Sequence, residues 1–417
     1  MLTPGGIRTR SPCRNRTLNI KLSMKYFFSA GEASGDLHAA QVIRELLALD
    51  PQADICFLGG DRMAAAARKA PLIHFSRMAF MGFIDVAAHL PQVLGNLSTA
   101  KEAIRTMRPD AVVLVDYPGF NLKIAKYAKS LGIKVFYYIA PKLWAWKSYR
   151  IKQLRRYVDA IFSILPFEPA WFGERGVKVD YVGNPSVEEV EDAIRALPPR
   201  DEFLRRHGLP DRPVLALIPG SRVGEIKANL PVMDAVARRH PEMQAVVAGA
   251  PSLSRELYAK FTDFPVIDAA TLELMASSRA AMVTSGTAVL ECALAGCPQV
   301  VCYRAVGWKW AHDIFLHILK IPYASLPNLI GGKIDRQTRD EVNREAIRTG
   351  VRGCVVPEML VHNCTPDNVD RELSRIIPDG PARRHQLDGY ERVRQILHTD
   401  SSAAANTARL IFEKAKG

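Results

Sequence analysis

Hydrophobic residues in this chain fall into short continuous runs, separated by longer stretches in which they recur every three or four positions. The runs at 25–29, 54–58, 111–115, 135–139 and 160–165 read as buried strands. The stretches between them, including 37–49, 97–107, 122–131 and 143–155, read as helices, and Leu37, Ala40, Ile43, Leu46 and Leu47 fall on one face of the first. A strand that is apolar on both faces belongs in a parallel sheet covered by helices on each side. A second alternating series follows at 214–218, 244–248, 266–267, 281–284 and 299–303, and the proline- and charge-rich stretch 183–199 reads as the connection. The pattern predicts an α/β protein of two facing, doubly wound, Rossmann-like domains with a cleft between them. The domains run over 24–190 and 200–380. The helical, basic tail 381–417 is expected to pack back on the first domain, and the charged segment 333–353 reads as a surface insertion. In such folds ligands sit at the carboxyl ends of the strands.

A length of 417 residues with 48% hydrophobic content is enough for two separate cores. The formal charge of +13 suits nucleic acid, anionic lipid or a phosphorylated substrate. Part of it lies in residues 1–23, where Arg8, Arg10, Arg14, Arg16 and Lys21 stand with no acid. That segment lacks an apolar core and a cleavage site, so it is not a secretory signal. Met24 directly precedes the first strand, so 1–23 is expected to be a disordered extension ahead of the natural start, in preference to a nucleic-acid-binding arm. The 7 cysteines form no Cys-x-x-Cys pair, which favours reduced, buried thiols over disulfides or zinc. No apolar run reaches the roughly 18–20 residues that span a bilayer, so any membrane contact is expected to be peripheral.

Candidate chemistry gathers at strand-to-helix turns. After the strand at 281–284, Ser285, Gly286 and Thr287 bring backbone N–H groups and hydroxyls to a helix start, where anions are favoured. Glu291, one turn on, is placed to grip a ribose diol. After 214–218, Pro219-Gly220-Ser221-Arg222 adds a guanidinium fork suited to a diphosphate. Together these turns read as the two ends of a nucleoside-diphosphate site. In the first half, Ala30-Gly31-Glu32-Ala33-Ser34-Gly35-Asp36 is not Gly-x-Gly-x-x-Gly, which disfavours a dehydrogenase. Its glycines are expected to let a sugar or acceptor approach the backbone, with Ser34 or Asp36 capping the helix. Glu32 stands at the strand's carboxyl end. Asp116, in Val115-Asp116-Tyr117-Pro118-Gly119-Phe120-Asn121, sits at another strand tip, where a carboxylate can act as general base, and Asn121 is the better helix cap. The apolar segment 78–97 and the helix opened by Trp308-Lys309-Trp310 read as core rather than as an interfacial lip. No Asp-x-Asp occurs and no cluster has metal spacing, so neither a metal nor a cofactor is expected.

Several motifs in order make this chain resemble the lipid-A-disaccharide synthases, inverting glycosyltransferases of the GT-B type. They are Ser29 through Asp36, Met81-Gly82-Phe83, Val115 through Asn121, Pro141-Lys142-Leu143-Trp144-Ala145-Trp146 and Leu165-Pro166-Phe167-Glu168. In the second half they are Pro219 through Arg222, Ser285 through Glu291 and Ser325-Leu326-Pro327-Asn328-Leu329. The resemblance implies transfer of a 2,3-diacylglucosamine from its UDP donor to 2,3-diacylglucosamine 1-phosphate. The products are UDP and a β-1,6-linked disaccharide 1-phosphate of lipid A biosynthesis. It also implies metal independence and peripheral contact with anionic lipid on the cytoplasmic face of the inner membrane. Mapped onto this chain, it makes Asp116 the base, with Glu32 supporting or competing. Ser221, Arg222, Ser285, Gly286 and Thr287 would hold phosphates, Glu291 the ribose, and Asn328 would lie on the nucleotide side. Met81, Phe83, Lys142 and Trp144 are assigned to the acceptor or membrane, and Lys142, Lys147 and Arg150 to the acceptor phosphate. A homodimer is allowed. Gly183-Asn184-Pro185 stands where the family often has Gly-His-Pro, and the 333–353 insertion separates two motifs that are usually adjacent. Two rivals share the same anion seats: a GT-B transferase with another UDP-sugar and a lipid-linked acceptor, and a non-catalytic nucleotide- or RNA-binding protein.

Overall fold

The computed structural model describes residues 23–78, 90–145, 148–304 and 321–416. The extension at 1–22, Met81, Phe83, Lys147 and the helix expected from Trp308 lie outside the described residues. Strands β1 (Lys25–Ala30), β2 (Asp54–Gly59), β3 (Ile73–His74), β4 (Ala111–Val115), β5 (Lys134–Tyr138), β6 (Ala160–Ser163) and β7 (Asp180–Tyr181) form one sheet. Their order in it is β3-β2-β1-β4-β5-β6-β7. Strands β8 (Val214–Ile218), β9 (Gln244–Gly249), β10 (Val266–Asp268), β11 (Ala280–Thr284), β12 (Gln299–Tyr303) and β13 (Glu358–Leu360) form a second, in the order β10-β9-β8-β11-β12-β13. Every strand pairing is parallel.

The strands are apolar throughout because both faces are covered. In β4, Ala111, Val113 and Val115 pack with Ala39 and Ile43 of the helix Ala33–Leu49. Val112 and Leu114 point the other way, toward Ile104 of the helix Leu90–Met107 and Ile124 of the helix Pro118–Ser130. The second sheet repeats this, with Val214, Ala216 and Ile218 of β8 on one face and Leu215 and Leu217 on the other.

The tail is two helices rather than one. Pro381–Leu397 stays on the second core, where Tyr390, Val393 and Leu397 are buried and Gln386 pairs with both backbone groups of Gln299 at 2.8 and 3.0 Å. Only Ala403–Lys416 crosses over, burying Ala404, Ala408, Ile411 and Ala415 in the first core. The buried face of Ala33–Leu49 also takes in His38, Ala39 and Val42, because the sheet covers one side of it and the final helix another. The connection after β7 is the helix Pro185–Arg195, and its Glu188 accepts the Ala403 N–H at 2.7 Å, capping the final helix. The charged 333–353 segment forms the helix Arg336–Thr349.

The two halves meet through a cluster of Trp144 and Leu165 with Tyr323 and Leu329. Trp144 and Leu165 follow β5 and β6, and Tyr323 and Leu329 lie between β12 and β13. The sheets therefore turn their carboxyl ends toward one another.

Candidate active site at two topological switch points

In each sheet the strand order reverses once, between β1 and β4 and between β8 and β11. A crevice opens at such a point because the loops on either side run to opposite faces of the sheet. Both pairs of candidate turns lie there.

At the first switch point, Glu32 follows β1 and Asp116 follows β4. Asp116 and Tyr117 both take positive φ values, 45° and 48°, which non-glycine residues adopt only where the surroundings enforce them. Here the Asp116 N–H donates to the Tyr138 carbonyl at 3.1 Å. Its own carbonyl accepts from the Tyr137 hydroxyl at 2.5 Å and the Asn121 amide at 2.8 Å. Asn121 is wholly buried and also reaches the carbonyls of Ser29 and Val115, while Ser29 donates its hydroxyl to the Asn121 amide oxygen. Asn121 is thus not the expected helix cap; it ties β1 to β4 and fixes the turn that carries Asp116. A Cβ on Gly31 would lie 2.4 Å from the Tyr117 ring, so this glycine makes room for Tyr117 rather than for a ligand. Asp36 does not cap its own helix: its carboxylate accepts the N–H groups of Gly60 at 2.6 Å and Met63 at 3.2 Å, and starts the next helix instead.

Burial raises the pKa of the Asp116 carboxyl, against the opposing effects of the Tyr117 N–H and the Lys142 charge. Burial also raises Glu32, and the nearby Asp116 charge adds to it. Lys142 is exposed and its cation acts on Asp116 and on Glu168. Trp144, in contrast, is 5% exposed; its ring meets Phe167 edge-on at 5.2 Å and its indole N–H donates to Glu168 at 2.8 Å. It is a core residue of the interface between the halves and has no face left for lipid.

At the second switch point, the loops after β8 and β11 line a cavity of about 410 Å³. It brings together Ser221, Arg222, Ser285, Gly286, Thr287 and Glu291. Arg222 presents its side chain to solvent, 79% exposed, at the start of the helix Val223–Ala237. The Ser285 N–H donates to the Cys302 carbonyl at 3.3 Å, so the backbone donors of that loop are those of Gly286 and Thr287. Burial raises the Glu291 carboxyl, with a hydrogen bond from Thr287 opposing it. The lining also includes residues that the motifs did not point to, among them Glu225, one turn into the helix, Thr271, and Thr284, whose buried hydroxyl has no partner among the described residues.

Asn328 stands apart from this cavity. It is fully buried, its amide donates to the Val356 carbonyl at 2.9 Å and to Glu358 at 2.7 Å, and its oxygen accepts from Val355 and Val356 at 2.7 and 2.9 Å. With both ends engaged it folds the 353–358 loop and has no polar atom left for a ligand. Glu358 is its buried partner and also receives both Ser325 groups, the N–H at 2.9 Å and the hydroxyl at 2.5 Å. Among the described residues no group of three or more His, Cys, Asp and Glu side chains is arranged to hold a metal, and no helix is long and apolar enough to cross a membrane.

Two parallel-sheet domains with opposed carboxyl ends define the GT-B class of glycosyltransferases and related sugar epimerases. The fold is similar to that of UDP-GlcNAc 2-epimerase from Neisseria meningitidis bound to UDP-GlcNAc, with a TM-score of 0.54 at 12% identity over 94% of this chain and 99% of that one. It is similar also to the glycotransferase of kitacinnamycin, with a TM-score of 0.57 at 12% identity over 94% and 99%. The profile of the lipid-A-disaccharide synthetase family matches residues 26–346. The lipid-A-disaccharide synthase of Myxococcus xanthus is 36% identical over 395 residues, covering 92% of this chain and 96% of its own. That of Koribacter versatilis is 33% identical over 405 residues, covering 94% and 99%. The chain belongs to the lipid-A-disaccharide synthetase family, and it is a glycosyltransferase of lipid A biosynthesis.

Proposed function

We propose that this chain joins UDP-2,3-diacylglucosamine to 2,3-diacylglucosamine 1-phosphate with inversion and without a metal ion. The donor's diphosphate lies in the cavity after β8 and β11, on Arg222, Ser221 and the N–H groups of Gly286 and Thr287, and Glu291 takes the ribose diol. Asp116 removes the proton from the acceptor's 6-hydroxyl as that oxygen bonds to the anomeric carbon. The bond from that carbon to the diphosphate breaks on the opposite side, and UDP leaves with its charge held by Arg222 and the backbone N–H groups. Glu32, raised in pKa by burial and by the nearby Asp116 charge, stands ready to bind the acceptor or share the proton. Lys142 is the cation placed for the acceptor's phosphate. The observation that carries this reading is the match between the two switch points: one holds a half-buried carboxylate in an enforced turn, the other a set of groups suited to an anion. Contact with the membrane is peripheral in this reading, favoured by the net charge of +13 against anionic lipid.

The test is incubation of the purified protein with both lipids, followed by thin-layer separation. A disaccharide 1-phosphate formed only from the acylated donor and acceptor supports the proposal. Turnover of unacylated UDP-sugar alone rejects this substrate and favours the rival transferase.

A further inference from the structure

Two of the residues assigned above to the donor's diphosphate, Ser221 and Arg222, are already engaged by an anion of the protein itself. The Glu225 carboxylate accepts the N–H groups of Ser221 at 3.0 Å and Arg222 at 3.3 Å, and its other oxygen lies 3.3 Å from the Arg222 guanidinium. Gly220, at φ +108°, lets it come so near that a Cβ there would lie 2.4 Å from the carboxylate. A negatively charged group on two adjacent N–H groups and an arginine at a helix start is the arrangement a phosphate would adopt. Glu225 and those partners all line the same cavity, and so does Thr284. The Thr284 side chain is 4% exposed, and its hydroxyl has no hydrogen-bond partner among the described residues.

We propose that Glu225 is an internal competitor for the diphosphate, occupying its seat in the nucleotide-free protein and swinging out to solvent when the nucleotide enters. The inference rests on the placement of the donor under Proposed function. Its side chain is already 26% exposed, so the movement needs rotation of one glutamate and no rearrangement of the helix. The competitor raises the threshold for binding. A diphosphate brings enough charge to displace one carboxylate, whereas a singly charged ligand does not. It also offers a route for product release, because the returning carboxylate re-engages the same donors as UDP leaves. The alternative is a capping glutamate that only steadies the helix start. The two roles predict opposite signs: removing a competitor tightens nucleotide binding, and removing a cap loosens it.

The experiment is titration calorimetry of UDP and of inorganic pyrophosphate against the full chain and its Glu225→Gln, Glu225→Ala and Arg222→Ala variants. Circular dichroism and thermal melts confirm the fold of each. Glu225→Gln keeps an oxygen for the two N–H groups while removing the charge, so it stays informative if Glu225→Ala fails to fold. The expected result is that Glu225→Gln binds UDP about 5–30-fold more tightly at low salt, with pyrophosphate following the same trend. UDP affinity unchanged or weakened in a folded Glu225→Gln overturns the proposal and leaves the donor site standing. UDP affinity unchanged in Arg222→Ala overturns the donor site and this proposal with it.

Discussion

Asp116, half-buried, and Glu168, fully buried, are both carboxyls near Lys142, yet their partners differ. Asp116 has its main chain fixed on all sides and its carboxyl raised by burial. As a base it works ionised, so kcat/KM should fall as pH drops through a pKa above the ordinary carboxylate range, and a pH–rate profile measures where. Glu168 is held by the Trp144 indole and the Ser163 hydroxyl, and burial lifts it to about 7. Its folded pKa lies above its unfolded value, so the folded state holds the proton more tightly. Stability from this group is therefore full below the unfolded pKa and declines as pH rises to about 7, by up to about 3 kcal/mol. Glu168→Gln should flatten the melting temperature across pH 5–8, and a slope equal to wild type contradicts it. Arg222→Ala should weaken UDP binding by about 1.5–3 kcal/mol, read by calorimetry. That Ser221, Arg222, Ser285–Thr287 and Glu291 gather at one cavity was legible because they keep polar groups in short turns after apolar strands. The buried partners of Asn328 and Trp144 were not legible for one reason: an amide or an indole in a motif looks the same in sequence whether its partner is a ligand or a buried group of the protein. Their partners, Glu358 and Glu168, come from distant parts of the chain.

Among elements, the strands were the most legible, because a run apolar on both faces has few homes other than a covered parallel sheet. Helix limits were less so. The stretch expected to be a helix over 143–155 begins with turns, the Leu143 N–H reaching the Pro141 carbonyl at 2.6 Å and that of Ala145 reaching Lys142 at 3.1 Å. The helix Ile151–Tyr157 starts only later, since Trp144 is drawn inward to Glu168. The tail's division had no local signal, because basic helices look alike whichever core they cover. Its final helix carries a prediction at this scale. Ile411 is fully buried in the first core, so Ile411→Ala should destabilise that domain by roughly 2–5 kcal/mol in denaturant unfolding. The second domain's transition should hardly move, and equal loss in both would contradict the assignment of this helix to the first core.

For the whole molecule, what matters is that the proposed reaction draws on both switch points. Trp144 and Leu165 against Tyr323 and Leu329 bring the carboxyl ends of the sheets together, and the final helix returns the chain to its first domain. The order of motifs made two domains legible, but their approach depends on contacts between residues far apart in sequence, which periodicity does not encode. The basic balance adds a test of peripheral attachment: the protein should float with anionic vesicles at low salt and release as salt rises, whereas binding that is indifferent to salt would refute an electrostatic contact. The division of labour between the lobes is probed most directly by one variant, Asp116→Asn, assayed for disaccharide formation with UDP affinity measured on the same preparation. The rate should fall at least about 10²-fold while UDP affinity stays near wild type, because a base in the first domain acts in the transition state and the nucleotide sits in the second. A near-normal rate, or a loss of UDP binding as large as the loss of turnover, would contradict the account.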